Sequence, residues 1–169
     1  KSLIMASFIH RIEVRYASDP RLKIRTEKIR SLGFSVTEIN LIDIYTIVTC
    51  SRNFSNEDLF RIGSQLANPV VQKFTVDYPT EADFDLAIEI GFLPGVTDNR
   101  GTTAKQTIED FFSFRFAEGD FVSTSQLYLI KGKLSPANVN ELSSKLANPL
   151  INRIHVKTRA EYGSTGMDR

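Results

Sequence analysis

The chain has 169 residues, of which 41% are hydrophobic, and 21 basic side chains stand against 20 acidic ones. That length suits one medium domain or two small ones, and the near-neutral charge argues against a nucleic-acid or membrane partner. Cys50 is the only cysteine, so no internal disulfide can form. With no apolar run of membrane-spanning length and an opening too short for a signal peptide, a cytoplasmic protein is expected.

The first elements are a predicted strand and helix. Apolar Phe8, Ile12 and Val14 alternate with polar residues over 8–16, which is the pattern of a half-buried strand. Asp19 then provides a helix cap followed by proline, and an apolar stripe continues to a glycine at position 33. This predicts a helix over 20–32.

Two further strands, a helix and a last strand are predicted next. Apolar residues indicate strands over 36–41 and 44–50, joined near Asp43. Ser55 and Asp58 form a capping pair before a helix that runs to Leu66, and Pro69 stops that helix. A strand over 70–76 follows. The order is therefore strand, helix, strand, strand, helix, strand.

The rest of the chain follows the same order with one strand missing. We predict strands over 86–91, 122–130 and 150–157 and helices over 103–114 and 136–146. Residues 115–118 are a poor remnant of the missing strand.

An internal repeat relates the two series. The tetrapeptide Leu-Ala-Asn-Pro occurs at 66–69 and again at 146–149, and apolar positions stay in phase around it, while length differences fall in loops. We therefore predict an α+β fold of tandem duplicated βαββαβ units, with a ferredoxin-like resemblance. The units are 8–80 and 81–158, and 159–169 is predicted to be a linker or tail.

The predicted packing follows from the number of helices. Two helices cover only one face of a four-stranded sheet, so the other apolar-bearing face needs a cover. We predict that the two units cover each other, as a pseudo-dimer within one chain.

We predict no catalytic, cofactor-binding or metal site in this chain. No Walker loop, dinucleotide fingerprint, serine elbow, zincin helix or paired-cysteine site is present. His10 and His155 lie in strands of different units without metal-ligand spacing, and Cys50 is interpreted as an inert core thiol. The phenylalanines between 111 and 121 are interpreted as core and as the contact between the units.

Two segments are candidates for contact with a ligand or partner. The loop 93–103 leads into a helix whose Gly101, Thr102 and Thr103 could receive a phosphate, although a turn with a threonine cap is the favoured interpretation. The first helix is rich in basic residues, which is also typical of a solvated face. The partner-contact candidates from both segments are Arg21, Lys23, Arg25, Asp98, Asn99 and Arg100.

Four motifs in order resemble the PurS family. They are Arg-Ile-Glu-Val-Arg at 11–15, Leu-Gly-Phe at 32–34, Pro-Gly-Val-Thr-Asp at 94–98 with a glycine at 101, and the Leu-Ala-Asn-Pro repeats. That family is the small subunit of phosphoribosylformylglycinamidine synthase, a glutamine amidotransferase of purine biosynthesis, and a duplicated PurS-like domain leads the fused large-type enzymes. The shortened loop at 16–20 and the blurred strand near 115–120 depart from the family pattern.

The resemblance implies a domain that is not an enzyme on its own. Its implied role is to bridge the synthetase and glutaminase domains or subunits of the same enzyme, with ATP and magnesium on the synthetase domain and no cofactor in this chain. The whole enzyme would convert formylglycinamide ribonucleotide to formylglycinamidine ribonucleotide with ammonia from glutamine.

Two alternatives remain open at this point. One is a small-molecule-binding regulatory module of paired ferredoxin-like units, with its ligand between the units. The other is an RNA-binding module that uses the basic first helix, although the run of stacking aromatics typical of such sheets is missing from the sequence.

Overall fold

A computed structural model describes residues 7–50 and 52–165 as an α+β fold. Within these residues, an antiparallel sheet of six strands is accompanied by five helices. The strands are β1 (Phe8–Tyr16), β2 (Val36–Thr49), β3 (Gln72–Val76), β4 (Leu86–Phe92), β5 (Phe121–Gly132) and β6 (Asn152–Thr158). The helices are α1 (Pro20–Ser31), α2 (Asn56–Leu66), α3 (Asn99–Phe112), α4 (Pro136–Leu146) and α5 (Arg159–Thr165).

The sheet has the strand order β3-β1-β2-β5-β4-β6, so the first three strands form one half and the last three the other. The long central strands β2 and β5 pair with each other from Val36 to Val48, and the pair Asp43–Gln126 lies near the middle of that ladder. Each half is a β-α-β-α-β series, which is compatible with ferredoxin-like units.

Four helices lie on one face of the sheet. One apolar cluster packs α2 and α3 on the C-terminal end of β2 and the N-terminal end of β5, where Ile47 and Val122 are buried. A second cluster joins α1 and α4 to the opposite ends of the same strands, where Ile39 and Ile130 are buried. Since residues two apart in a strand point to the same side, both clusters lie on one face. Each cluster combines a helix of one half with a helix of the other.

The second face is covered by α5 and by the segment 77–85 that connects β3 to β4. Its core contains Ile44 and Leu127 from the central strands, Phe84 from the connecting segment and Tyr162 from α5. The rings of Phe84 and Tyr162 meet edge to face, with centroids 5.0 Å apart. Residues 159–165 are therefore a helix packed on the sheet, where the sequence predicted a linker or tail. Residues 166–169 lie outside the described residues.

Two predictions about the sheet are wrong. The strands predicted at 36–41 and 44–50 are one strand, β2, because residues 41–44 are all buried and the pairing with β5 continues without a break through Asp43. Each half thus contributes three strands, and βαββαβ is corrected to βαβαβ. The halves also do not cover each other face to face; they join edge to edge, because the β2 edge finds hydrogen-bond partners on β5.

Several local predictions are confirmed. The bounds of β1 and α4 agree with the sequence analysis, and Ser55 accepts a hydrogen bond from the Asp58 backbone as the helix cap of α2. Residues 115–118 form no strand. The aromatic contact between the halves is confirmed in part: Phe112, Phe114 and Phe116 surround Phe54, at centroid distances of 5.8–6.3 Å. The phenylalanines at 111 and 121 are exposed instead.

Candidate functional site

The structure brings two of the partner-contact candidates together over one buried carboxylate. Arg21 lies in the first turn of α1 and Arg100 in the first turn of α3, and the two helices start on the same face of the sheet near its centre. Arg21 Nη2 lies 3.8 Å from Asp43 Oδ2, and Arg100 Nη1 lies 3.4 Å from Asp43 Oδ1. From the sequence, Asp43 was predicted only to lie near the junction of two strands. It is instead the residue on which cations from both halves converge.

Two tyrosines of the central strands complete this group. The guanidinium of Arg100 donates to the Tyr45 hydroxyl at 3.2 Å, and that of Arg25 donates to the Tyr128 hydroxyl. Each guanidinium also lies 5.7 Å from the centre of its tyrosine ring, within the range of a cation–π contact. We call this set the Asp43 cluster, and it consists of Arg21, Arg25, Asp43, Tyr45, Arg100 and Tyr128.

Burial and neighbouring charges act together on the pKa values of Arg100 and Tyr128 in this cluster. Asp43 is 5% exposed, and a carboxylate buried to that extent requires cationic or hydrogen-bonding partners. Burial lowers the pKa of Arg100, but the charge of Asp43 and the hydroxyl of Tyr45 outweigh that effect and raise it overall. Burial raises the pKa of the Tyr128 hydroxyl, and Arg25 opposes part of the rise. Because the pKa values of Arg21 and Arg100 are raised, both arginines stay charged at neutral pH, and the raised pKa of Tyr128 keeps its hydroxyl protonated.

The cluster presents positive charge at the surface. Arg21 also binds the helix-capping Asp19 with hydrogen bonds of 2.8–3.1 Å, so three guanidinium groups face two carboxylates. The side chain of Arg100 is 48% exposed, and the adjacent Asn99 and Lys23 of α1 are exposed as well. The predicted basic face of α1 is therefore only partly exposed to solvent: Arg21 and Arg25 contact residues of the sheet, whereas Lys23 is exposed.

The start of α3 differs from the prediction. The helix begins at Asn99, within the predicted loop, and Asp98 caps it by accepting from the Gly101 backbone N–H at 2.8 Å. Asp98 also accepts from the backbone and hydroxyl of Thr124. A carboxylate thus occupies the position where a phosphate was considered. Gly101 allows α3 to pack closely on β5, since a Cβ at this position would lie 2.3 Å from the backbone oxygen of Val122.

A buried ion network lies on the opposite face of the sheet. Arg11 Nε is 3.0 Å from Glu13 Oε2, and Arg11 Nη1 is 2.7 Å from Glu89 Oε1, which connects β1 of one half with β4 of the other. Ser125 donates to Glu89 Oε1 at 2.9 Å. Burial lowers the pKa of Arg11, but Glu89 and Glu13 outweigh this and raise it. Arg11 Nη2 and the hydroxyl of Tyr162 are buried without a hydrogen-bond partner.

A cavity of about 550 Å³ lies beside this network on the same face. Thr46, Ser123 and Ser125 place hydroxyls along it, and Arg11 and Glu89 form part of its wall. Its apolar lining comes from both halves of the chain and includes Ile9, Val48, Phe92, Leu93, Val96 and Phe121.

Sequence reasoning missed the residues of this network for an identifiable reason. Arg11 and Glu13 fall at the polar positions of an alternating strand, which normally face water. The one available signal was Glu89, because Ile-Glu-Val at 12–14 matches Ile-Glu-Ile at 88–90. A carboxylate at the same position of both halves is a candidate for a shared role.

Cys50 differs from its interpretation as a core thiol. It is exposed at the end of β2, where the chain turns towards α2, and its backbone N–H donates to Asp120 at 2.8 Å. Among residues 7–50 and 52–165, no three histidine, cysteine or carboxylate side chains are grouped as ligands for a metal ion. In that same part of the chain, every helix is too short or too polar to cross a bilayer.

The function of the chain is interpreted from its fold, from the Asp43 cluster and from the cavity beside Glu89. No known family model matches the chain, and no curated protein shows significant similarity to it.

Proposed function

We propose that this chain is a duplicated PurS-like domain that docks the catalytic parts of phosphoribosylformylglycinamidine synthase. In this proposal the domain performs no chemistry itself. It bridges the synthetase domain, which would carry ATP and magnesium, and the glutaminase domain. The observation that carries the proposal is the convergence of α1 and α3, one from each half, on Asp43 at the centre of the sheet.

The strand register supports the duplication. Ile12 of β1 pairs with Tyr45 of β2, and Ile88 of β4 pairs with Tyr128 of β5. Because Ile12 and Ile88 correspond in the repeat, Tyr45 and Tyr128 become equivalent, and so do the directly paired Asp43 and Gln126. A pseudo-twofold axis through that pair relates the two halves and reproduces the symmetric strand order.

The turns at the Leu-Ala-Asn-Pro repeats give independent support. The Asn68 side chain accepts from the backbone two residues later at 3.0 Å, and the Asn148 side chain accepts in the same way at 3.0 Å. The backbone N–H of each asparagine donates to a side chain four residues on, Gln72 in one half and Asn152 in the other. Two matching hydrogen bonds at matching positions are typical of copies of one unit.

The helix packing supports a pseudo-dimer rather than two independent domains. The α2–α3 cluster and the α1–α4 cluster each contain buried residues from both halves, for example Leu59 with Ile108, and Ile29 with Leu142. A half removed from the chain would expose both surfaces, at a cost of about 25 cal/mol for each Å² of apolar area. A rigid body of this kind is suited to hold two larger domains at a fixed separation.

The proposed docking surface is the exposed side of the Asp43 cluster with its neighbours. It contains all six partner-contact candidates, Arg21, Lys23, Arg25, Asp98, Asn99 and Arg100. Lys23 and the three arginines outnumber the carboxylates Asp19, Asp43 and Asp98, and this positive balance fits an acidic surface on a partner domain, because complementary charge directs association and fixes orientation.

The proposal is tested in the full synthase by removing residues 8–165, so that α5 is deleted together with the sheet that it covers. We expect glutamine-dependent turnover to fall at least about tenfold more than turnover with ammonium chloride, a difference of about 1.4 kcal/mol in activation free energy. The reason is that supplied ammonia needs no contact between the glutaminase and synthetase domains. Equal losses with both nitrogen sources would contradict bridging.

A charge reversal locates the surface within the same assay. Arg100→Glu is expected to reproduce part of the selective loss, whereas Lys28→Glu, on an exposed position of α1, serves as the matched control and leaves both rates unchanged. Thermal unfolding of both variants shows whether the fold is retained.

A regulatory small-molecule module is the second candidate, and the cavity between the halves is the observation that favours it. A thermal-shift screen of nucleotides and amino acids on the 169-residue chain tests this candidate, because a ligand that binds only the folded state raises the unfolding temperature. Absence of any shift argues against it.

A further inference from the structure

The cavity beside Glu89 has the size and the lining of a binding site. Its volume of about 550 Å³ falls within the range of roughly 300–1,000 Å³ typical of ligand sites. Hydroxyl groups lie along one part of the lining, and the apolar part includes the rings of Phe92 and Phe121, which are 36% and 49% exposed. Exposed aromatic rings beside buried polar groups are typical of surfaces that bind an amphipathic partner.

The polar wall offers an unused hydrogen-bond donor. Arg11 is 6% exposed, and its Nη2 has no partner although Nε and Nη1 are each paired with a carboxylate. A buried donor without a partner costs about 1–3 kcal/mol, so a ligand atom that accepts from it gains correspondingly. Glu13 and Glu89 flank Arg11 and disfavour an anionic atom beside it, and Arg153 and Asp98 elsewhere in the lining are opposite in charge, which leaves a neutral acceptor such as an amide carbonyl as the suitable chemistry at Arg11.

The chain itself shows how an amide is recognised at the equivalent place. Glu13 corresponds to Glu89 in the repeat, and the connecting segment 77–85 crosses the sheet beside Glu13 without regular secondary structure. The backbone N–H of Thr80, a residue 5% exposed, donates to Glu13 Oε1 at 3.1 Å. In the first half, a carboxylate on this face thus binds the amide of an extended peptide.

We infer that the cavity beside Glu89 binds an extended peptide segment of a partner protein through its backbone amide. A carbonyl of the segment accepts from Arg11, the adjoining N–H donates to Glu89, and an apolar side chain lies between Phe92 and Phe121. This inference rests on the duplication within the proposed function, through the correspondence of Glu13 and Glu89. It requires neither the synthase nor its reaction.

The probe is a capped neutral tripeptide, N-acetyl-alanyl-leucyl-alanine N-methylamide, titrated into the ¹⁵N-labelled 169-residue chain. We expect a dissociation constant of about 1 mM, as for other short peptides with few contacts. The amide shifts are expected to be confined to residues that line the cavity and to be concentrated in its two continuous segments, 92–96 and 121–125. Absence of localised shifts up to the solubility limit would overturn the inference.

A chemical variant of the probe tests amide recognition directly. Replacing the leucyl N–H by an ester oxygen removes one donor and is expected to weaken binding at least about fivefold. Equal affinity of the ester and the amide would overturn the role of Glu89. Tighter binding of a nucleotide or of a free amino acid at the same resonances would replace the peptide by that ligand.

A protein variant tests the location. Ser123→Phe places a ring in the cavity from a half-buried position and is expected to abolish binding, while Ser144→Phe on the exposed side of α4 is the matched control and leaves binding intact. Thermal unfolding verifies that both variants fold, and undiminished binding by folded Ser123→Phe would contradict the assigned site. Loss of selective turnover in the synthase is measured separately, so the two proposals can fail independently.

Discussion

Arg11→Ala is expected to lower the free energy of unfolding by about 3–5 kcal/mol, because removing one member of a buried ion pair leaves the others without compensation. Glu13 and Glu89 are 2% and 5% exposed, and Arg11 is the cation within 3.0 Å of both. The loss is measured by urea denaturation of the 169-residue chain at neutral pH. Arg115→Ala, in the exposed loop after α3, is the control and should change stability by less than about 0.5 kcal/mol.

A second variant separates the ion network from the space that it fills. Replacing Arg11 by Met together with Glu13→Leu and Glu89→Leu removes all three charges and keeps the side-chain volume. Such replacements in buried networks are often neutral or stabilising, so most of the loss should be recovered. If Arg11→Ala itself costs less than about 1 kcal/mol, the network is open to water and does not join the two halves as described.

Tyr162→Ala is expected to lower the free energy of unfolding by about 3–5 kcal/mol, the usual cost of removing a buried aromatic ring. Tyr162 is 3% exposed and packs edge to face on Phe84, so its loss opens a cavity under α5. Both the midpoint and the slope of urea denaturation are informative, because fraying of α5 in the native state would reduce the slope. A cost below about 1 kcal/mol would mean that α5 does not cover the sheet.

Tyr162→Phe is the matched control, and its expected result has the opposite sign. The hydroxyl is buried without a partner, and burial together with the nearby Glu13 raises its pKa. Removing such a group relieves an uncompensated desolvation, so stability should stay unchanged or rise by up to about 1 kcal/mol. A fall in the free energy of unfolding of more than about 1 kcal/mol would show that a bound water forms a hydrogen bond with the hydroxyl.

Local structure was predictable because local patterns determine it. Alternation of apolar residues defined β1, and serine or aspartate caps with proline nearby placed the helices. Asp98 ends the Pro-Gly-Val-Thr-Asp motif, but the sequence did not predict it as a helix cap. The glycine and threonines at 101–103 are typical of a loop, so the helix was predicted to begin after them. The physical reason for that glycine is a neighbouring backbone in β5, which lies 21 residues away along the chain at Val122.

The assembly of the halves was not predictable from the same patterns. A face with Arg11 and Glu13 reads as solvent-exposed, so its burial by Phe84 and Tyr162 leaves no periodic signal. The continuous β2 was divided at Asp43, because a charged residue in a central strand normally marks a turn. Asp43 is accommodated in the middle of β2 because two cations, Arg21 and Arg100, lie beside it. They come from helices that are distant in sequence.

The candidate site was predictable in part. Basic and polar residues at 21–25 and 98–100 were selected, and the structure places Arg21 and Arg100 on one carboxylate and Arg25 on Tyr128. The anchors Asp43, Tyr45 and Tyr128 were not selected, since they read as ordinary strand residues. A contact that depends on the pairing of two central strands is visible only once that pairing is known.

The central claim is that the two halves form one sheet through the β2–β5 pairing, and nuclear Overhauser effects between α protons test it most directly. In an antiparallel pair, α protons of alternate opposed residues come close, since those Cα atoms are about 4.5 Å apart. We predict such contacts at alternate opposed pairs within the register that runs from Ile39–Ile130 through Asp43–Gln126 to Ile47–Val122. Absence of these contacts, with contacts confined within each half, would contradict the account.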